Sequence, residues 1–197
     1  MKLYSYIVII STFCLPTITK GQDTSNLLKE SLESAAKNVL QLNELNISND
    51  TLNIVSESGF LFYPFGKHKS FAQFKAANLK FNYKDIYLKN QLTNEIVRGY
   101  QLHEGKSYVK LLIEDEDDDN RVMIIRGEIS DSVIFLKNRV HVGMDKQKFL
   151  QLFFARTPNN SINVINLKSA LEGIIHTYTF KQNKLQSIKF YTDYMVL

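Results

Sequence analysis

Between residues 139 and 154 the hydropathy pattern changes its period, and this change limits the folds open to the chain more than any other feature. Val140 and Val142 alternate with Arg139 and His141, and Gly143 interrupts them. Asp145 stands where a helix cap would, and Phe149, Leu150 and Phe153 then recur at helical spacing. The pattern predicts a strand that hands over, through a glycine turn, to a short amphipathic helix. A weaker copy, Pro64-Phe65-Gly66-Lys67-His68-Lys69-Ser70-Phe71-Ala72-Gln73-Phe74, begins earlier, with Gly66 and Gly143 lying 77 positions apart. Strand-rich sequence follows both. The repeat implies one supersecondary unit used twice: a glycine turn, a short helix and antiparallel strands.

The rest of the chain is read around these junctions. Leu28, Leu32, Ala35, Ala36, Val39 and Leu40 fall at helical spacing, which predicts one amphipathic helix over 25–42. Residues 43–53, rich in Asn, Ser and Asp, read as a linker. A first short helix is expected over 69–78. Strand patterns follow at 81–87, 96–102, 108–113, 122–129, 133–136 and 140–142, then at 162–167, 174–180 and 185–191 after the second helix. Gln182-Asn183-Lys184 reads as the last hairpin turn.

The first residues read as a separate segment. Lys2 precedes an apolar run over 3–15, and Thr19-Lys20-Gly21 places small residues at the −3 and −1 positions of a cut before Gln22. This is a signal-peptide pattern, and the run is short for a membrane span; an uncleaved anchor is the rival. Cys14 follows Phe13 inside the apolar run, which does not suit lipid attachment. Cleavage at Gly21 would leave no cysteine, so no disulfide and no thiol chemistry. It would also lower the formal charge from +4 to +2 by removing Lys2 and Lys20, too little to argue for nucleic acid. At 44% hydrophobic and 12% aromatic, the 197 residues hold ample material for a packed core.

One family resemblance is carried by Val142-Gly143-Met144-Asp145-Lys146 with Phe149-Leu150, then by Tyr178-Thr179-Phe180 and Lys184-Leu185-Gln186-Ser187-Ile188. These residues resemble the β-lactamase-inhibitor-protein-like superfamily, including the small outer-membrane assembly lipoproteins of the SmpA/OmlA type. The resemblance covers about 140–191 and, more faintly, 64–115. Arg156-Thr157-Pro158 replaces the family's Gly-x-Pro after the helix, and the lipobox is missing. The resemblance implies a helix-backed sheet whose other face binds a protein, with no catalytic residues.

Candidate chemistry is sparse. In the acidic run 114–120, Asp115, Asp117 and Asp119 alternate like calcium ligands. An EF-hand-like loop counted from Asp115 would place Asn120 where glycine is needed and Arg126 where a bidentate Glu is needed. A solvated hairpin tip is the favoured reading, with docking of a basic partner as a third. His68, His103, His141 and His176 form no zinc-spaced pair, and no serine-nucleophile or phosphate-loop motif occurs. Glu128 and Asp131, near one strand, read as surface charge. Asn46-Ile47-Ser48, Asn49-Asp50-Thr51 and Asn159-Asn160-Ser161 match the glycan acceptor pattern, which matters only in a eukaryotic secretory route. The aromatics are the better lead. Tyr100, Tyr108, Tyr178 and Tyr191 sit in strands beside Arg98, Lys110, His176 and Lys189. They serve either as a protein-binding face or as cover for the core edges, and parity alone does not fix which side of each strand meets the helices.

The resulting expectation is an α+β fold: a mainly antiparallel sheet with short helices on one face. It would be a tandem of two related halves (54–130 and 131–197), preceded by a signal peptide (1–21) and an N-terminal helix and linker (22–53). The function expected is a non-catalytic, exported module, periplasmic or secreted, that binds another protein and uses no cofactor. It would bind no nucleic acid and insert in no membrane once cleaved. The alternatives are an envelope assembly component anchored by its N-terminal segment, and a secreted hydrolase whose site the motifs do not reveal.

Overall fold

The chain begins with α1 (Asp23–Ala35) and a 3₁₀ turn at Asn38–Leu40, followed by the hairpin β1 (Leu42–Ser48) and β2 (Thr51–Ser56). Two short helices come next, α2 (Gly59–Phe62) and α3 (Phe71–Ala77). A four-stranded meander follows: β3 (Asn82–Lys89), β4 (Ile96–Glu104), β5 (Ser107–Glu114) and β6 (Arg121–Ile129). After a 3₁₀ turn at Lys137–Arg139 come α4 (Lys146–Phe153), β7 (Val164–Lys168), β8 (Ile174–Lys181) and β9 (Lys184–Thr192). This computed structural model describes residues 23–90, 93–114, 121–157 and 162–193. The signal-peptide segment with Cys14, most of the acidic run and the Asn159 acceptor motif lie outside the described residues.

All nine strands join one sheet in the order β1-β2-β7-β8-β9-β6-β5-β4-β3. Every neighbouring pair is antiparallel except β2 and β7, which run parallel. The α+β tandem expected from the sequence is therefore corrected: the protein is mostly β, one mixed sheet with four short helices among the described residues. The expected halves also interleave. Residues 51–55 pair with 164–168, and β6 pairs directly with β9, so the sheet's hydrogen bonds cross the 130/131 boundary.

Three local expectations fail for physical reasons. The segment expected as a linker forms β1 and β2. Its Leu45 and Leu52 are buried, and Asn46 and Asn53 stand on the solvent side of a hairpin that turns at Asn49 and Asp50. The amphipathic helix expected over 25–42 does not form. Helical backbone stops at Ala35, where Ala36 bridges Phe154 and the Lys37 N–H donates to Phe153 O at 2.8 Å. Val39, expected on the apolar face, is 54% exposed. Finally, 133–136 and 140–142 are not strands. Asn138 and Arg139 both adopt φ of 59°, which no strand accommodates, and the Val140 carbonyl instead accepts from Leu136 N–H at 2.8 Å.

The two glycines do adopt the left-handed region, with φ of 92° at Gly66 and 94° at Gly143. Neither leaves an extended strand: a turn after α2 precedes one, and a turn after the 3₁₀ segment precedes the other. Beyond them the helices are capped locally. The Ser70 hydroxyl accepts from Gln73 N–H at 3.3 Å, and the Asp145 carboxylate accepts from the N–H groups of Gln147 and Lys148 at 2.9 and 3.4 Å.

Side chains at directly paired positions share a face, so the register assigns every strand residue to one side. One side carries Leu52, Ile165, Tyr178, Ile188, Ile129 and Val109 across β2 to β5, all buried. The helices cover this side. Phe149 of α4 lies 4.6 Å from Tyr178 and 5.4 Å from Phe180, Phe60 of α2 lies 5.4 Å from Phe153, and Phe71 of α3 lies 3.8 Å from Tyr100 (ring centroids). The core occupies this layer between helices and sheet.

Candidate functional site

Among the described residues no helix contributes to the small cluster that lies on the opposite side of the sheet, and that side reads as a regular grid. One row crosses all nine strands through successive register partners: Asn46, Asn53, Asn166, Thr177, Lys189, Glu128, Tyr108, His103 and Asn82. Each member carries a polar atom, as alternation demands of a face in contact with water. Part of the row is bonded to itself. Asn166 Nδ2 donates to Asn53 Oδ1 at 3.0 Å, Thr177 Oγ1 donates to Asn166 Oδ1 at 2.8 Å, and the Lys189 ammonium lies 3.8 Å from Glu128.

Two residues further along each strand, the next row reads Lys84, Gln101, Lys110, Arg126, Tyr191, Ile175, Lys168, Val55 and Glu44. Four cations face the single carboxylate of Glu44. Lys110 and Arg126 are direct cross-strand partners of like sign, a pairing that destabilises a sheet. None of Lys84, Lys110, Arg126 and Lys168 makes an ion pair with another described residue. Tyr191, at the middle of the row, is 44% exposed.

A β-bulge re-aims the strand beside this row. Lys110 pairs with Arg126 but Leu111 pairs with Ile124, so Ile125 is the extra residue. Ile125 turns onto the uncovered side and, with Leu88 and Leu112, forms a small apolar cluster rimmed by the half-buried Ile86, Val97 and Met123. The grid therefore carries, side by side, an amide and hydroxyl row, a cationic row with tyrosine, and an apolar cluster.

The eight residues singled out from the sequence divide between the two sides. Tyr108, Lys110, Lys189 and Tyr191 lie on the uncovered grid. His176, Tyr178 and Tyr100 face the helices. The Tyr178 hydroxyl meets His176 Nδ1 at 3.3 Å, and Phe190 packs edge-on to the imidazole at 4.7 Å. Burial lowers the His176 pKa to about 3 and pushes the Tyr178 phenol up, so both stay neutral in the core. Burial gives His176 and Tyr178 a packing role in place of a binding one, and the half-buried Tyr100 packs against Phe71. Arg98 lies on the helix side beyond the cover of α3, exposed, donating to Asp85 at 2.8 Å above the Tyr100 ring.

Sequence reasoning missed Lys84, Arg126, Lys168 and Ile175, because placing them requires the register of each hairpin, the bulge in β6 and the distant pairing of β6 with β9. It also missed the clamp that sets Tyr108. Asp131 Oδ2 accepts from the Lys106 and Ser107 N–H groups at 2.9 Å each and from the Ser107 hydroxyl at 2.6 Å. That hydroxyl in turn accepts from the N–H groups of Ser130 and Asp131. The start of β5 is thereby tied to the end of β6. The Ser107 hydrogen bond, with those of the Lys106 and Ser107 amides, holds the Asp131 carboxyl below its ordinary range.

Cavities in the described residues are small. One of about 10 Å³, lined by Leu61, Met123, His176 and Thr192 among others, has room for a single water. A shallow cleft of about 100 Å³ runs between Ala77, Phe81, Ile134 and Phe135. Among the described residues no three His, Cys, Asp or Glu side chains are grouped to hold a metal ion, and no helix is long and apolar enough to cross a membrane. What the grid can do chemically is non-covalent: donate and accept hydrogen bonds, attract carboxylates, and bury tyrosine and aliphatic surface. Comparison of the chain with protein-family models, curated proteins and solved structures found no match.

Proposed function

We propose that this protein is an exported, non-catalytic module that holds another protein against the uncovered side of its sheet. The observation that carries the reading is the nine-strand grid itself. It is wide and regular in register, no helix among the described residues covers it, and it combines tyrosines with exposed cations, residue types suited to anchoring protein interfaces. Export is supported by the charged, apolar and small-residue sequence of 2–21. The resemblance of 140–191 to the β-lactamase-inhibitor-protein-like superfamily implies the same kind of face.

A photo-crosslinking side chain placed in turn at Thr177 and Tyr191, and for comparison at Gln147 on α4 and at Leu79, tests the reading on the full chain in its producing cells. The expected result is one discrete protein adduct from the first two positions and none from the comparison positions. Adducts from Gln147 or Leu79 alone, or from no position, overturn it.

A further inference from the structure

The cationic row narrows the kind of partner. Resting on the docking reading above, we infer that the uncovered face takes an acidic, partly apolar protein segment, with its carboxylates along Lys84, Lys110, Arg126 and Lys168. Three features of the grid agree on this. Lys110 and Arg126 stand directly opposite each other, neither is in an ion pair with another described residue, and the neighbouring Glu128 is turned to Lys189. A fold optimised only for stability would place unlike charges there, whereas an incoming carboxylate removes the repulsion. The bulge at Ile125 adjoins this pair and carries the apolar cluster beside it, so charge and apolar surface lie within one footprint. Tyr191 then offers a half-exposed ring next to Arg126.

The same grid disfavours a uniformly anionic polymer or lipid surface. Glu128 stands in the adjacent row beside Lys189 and repels unrelieved negative charge. The apolar cluster gives a sulfated sugar or a phosphate surface nothing to bind, whereas an aliphatic or aromatic side chain can be buried against it. A protein segment that alternates acidic and aromatic or aliphatic side chains meets each element of the grid.

The test uses the full chain and a short peptide alternating glutamate and tyrosine, followed by fluorescence anisotropy. A lysine–tyrosine peptide, a heparin oligosaccharide and phosphatidylglycerol vesicles serve as competing probes. The glutamate peptide is expected to bind, and to weaken on raising salt from about 0.05 M to about 0.5 M. Lys110→Glu should weaken it by on the order of tenfold. Because it places unlike charges opposite each other, Lys110→Glu is also expected to raise Tm, so lost binding cannot be lost folding. Lys148→Glu on the helix side should leave binding unchanged. Equal binding of the lysine peptide, binding of only the sugar or vesicles, or indifference to Lys110→Glu overturns the inference. If the glutamate peptide fails while Thr177 and Tyr191 still give their crosslinked adduct, the acidic partner is wrong and the docking face stands. If both fail, both are wrong.

Discussion

His176 was a candidate for partner binding beside the strand tyrosines, and its surroundings make it a packing residue instead. Its imidazole is 1% exposed between Tyr178 and Phe190, and burial lowers its pKa from 6.5 to about 3. Below pH 6.5 the unfolded chain takes up a proton that the folded chain refuses. Stability therefore falls as pH drops from about 6.5 toward 3, by at most about 1.4 kcal/mol per pH unit for this one group. His176→Leu should flatten that slope between pH 4.5 and 6.5, as followed by urea unfolding across pH. Gly127 makes the opposite point about small residues. A Cβ there would lie 2.8 Å from the Tyr108 carbonyl oxygen and 3.0 Å from Val109 Cα, both backbone atoms that cannot swing aside. Gly127→Ala should cost about 1–3 kcal/mol in urea unfolding, the range for overpacking a tight site.

Elements were legible in the sequence where short-range signals agreed. α4 was readable because Asp145 caps it and Phe149, Leu150 and Phe153 return at its period, all three buried. The cap leaves a measurable trace: Asp145→Ala should lose about 1 kcal/mol of stability as two first-turn N–H groups lose their acceptor. β8 and β9 were readable because the turn at Gln182 and Asn183, both at positive φ, sits between two alternating runs. β1 was hidden because its outward face is built of Asn and Ser, the same residues that make loops. The apparent strand at 140–142 misled because two valines at a spacing of two also suit a turn that buries one of them and half-buries the other. Parity was unreadable for β6 in particular. The extra residue at Ile125 reverses the alternation partway along the strand, so half of its side chains exchange faces relative to any uniform count.

At the scale of the whole molecule, the parallel pairing of β2 with β7 joins segments more than a hundred residues apart and turns two expected halves into one sheet. No local pattern announces such a pairing, nor the β6–β9 seam that brings Lys168 into one row with Lys84, Lys110 and Arg126. The central claim is that this sheet has a helix-covered side for folding and an uncovered side for a partner. Hydroxyl-radical footprinting of the full protein, alone and with the partner recovered by crosslinking, tests it most directly. The account predicts that Tyr108, Met123 and Tyr191 lose reactivity in the complex while the exposed Leu79 and Phe135 keep theirs. Protection of Leu79 and Phe135 with Tyr108 and Tyr191 unchanged would contradict it.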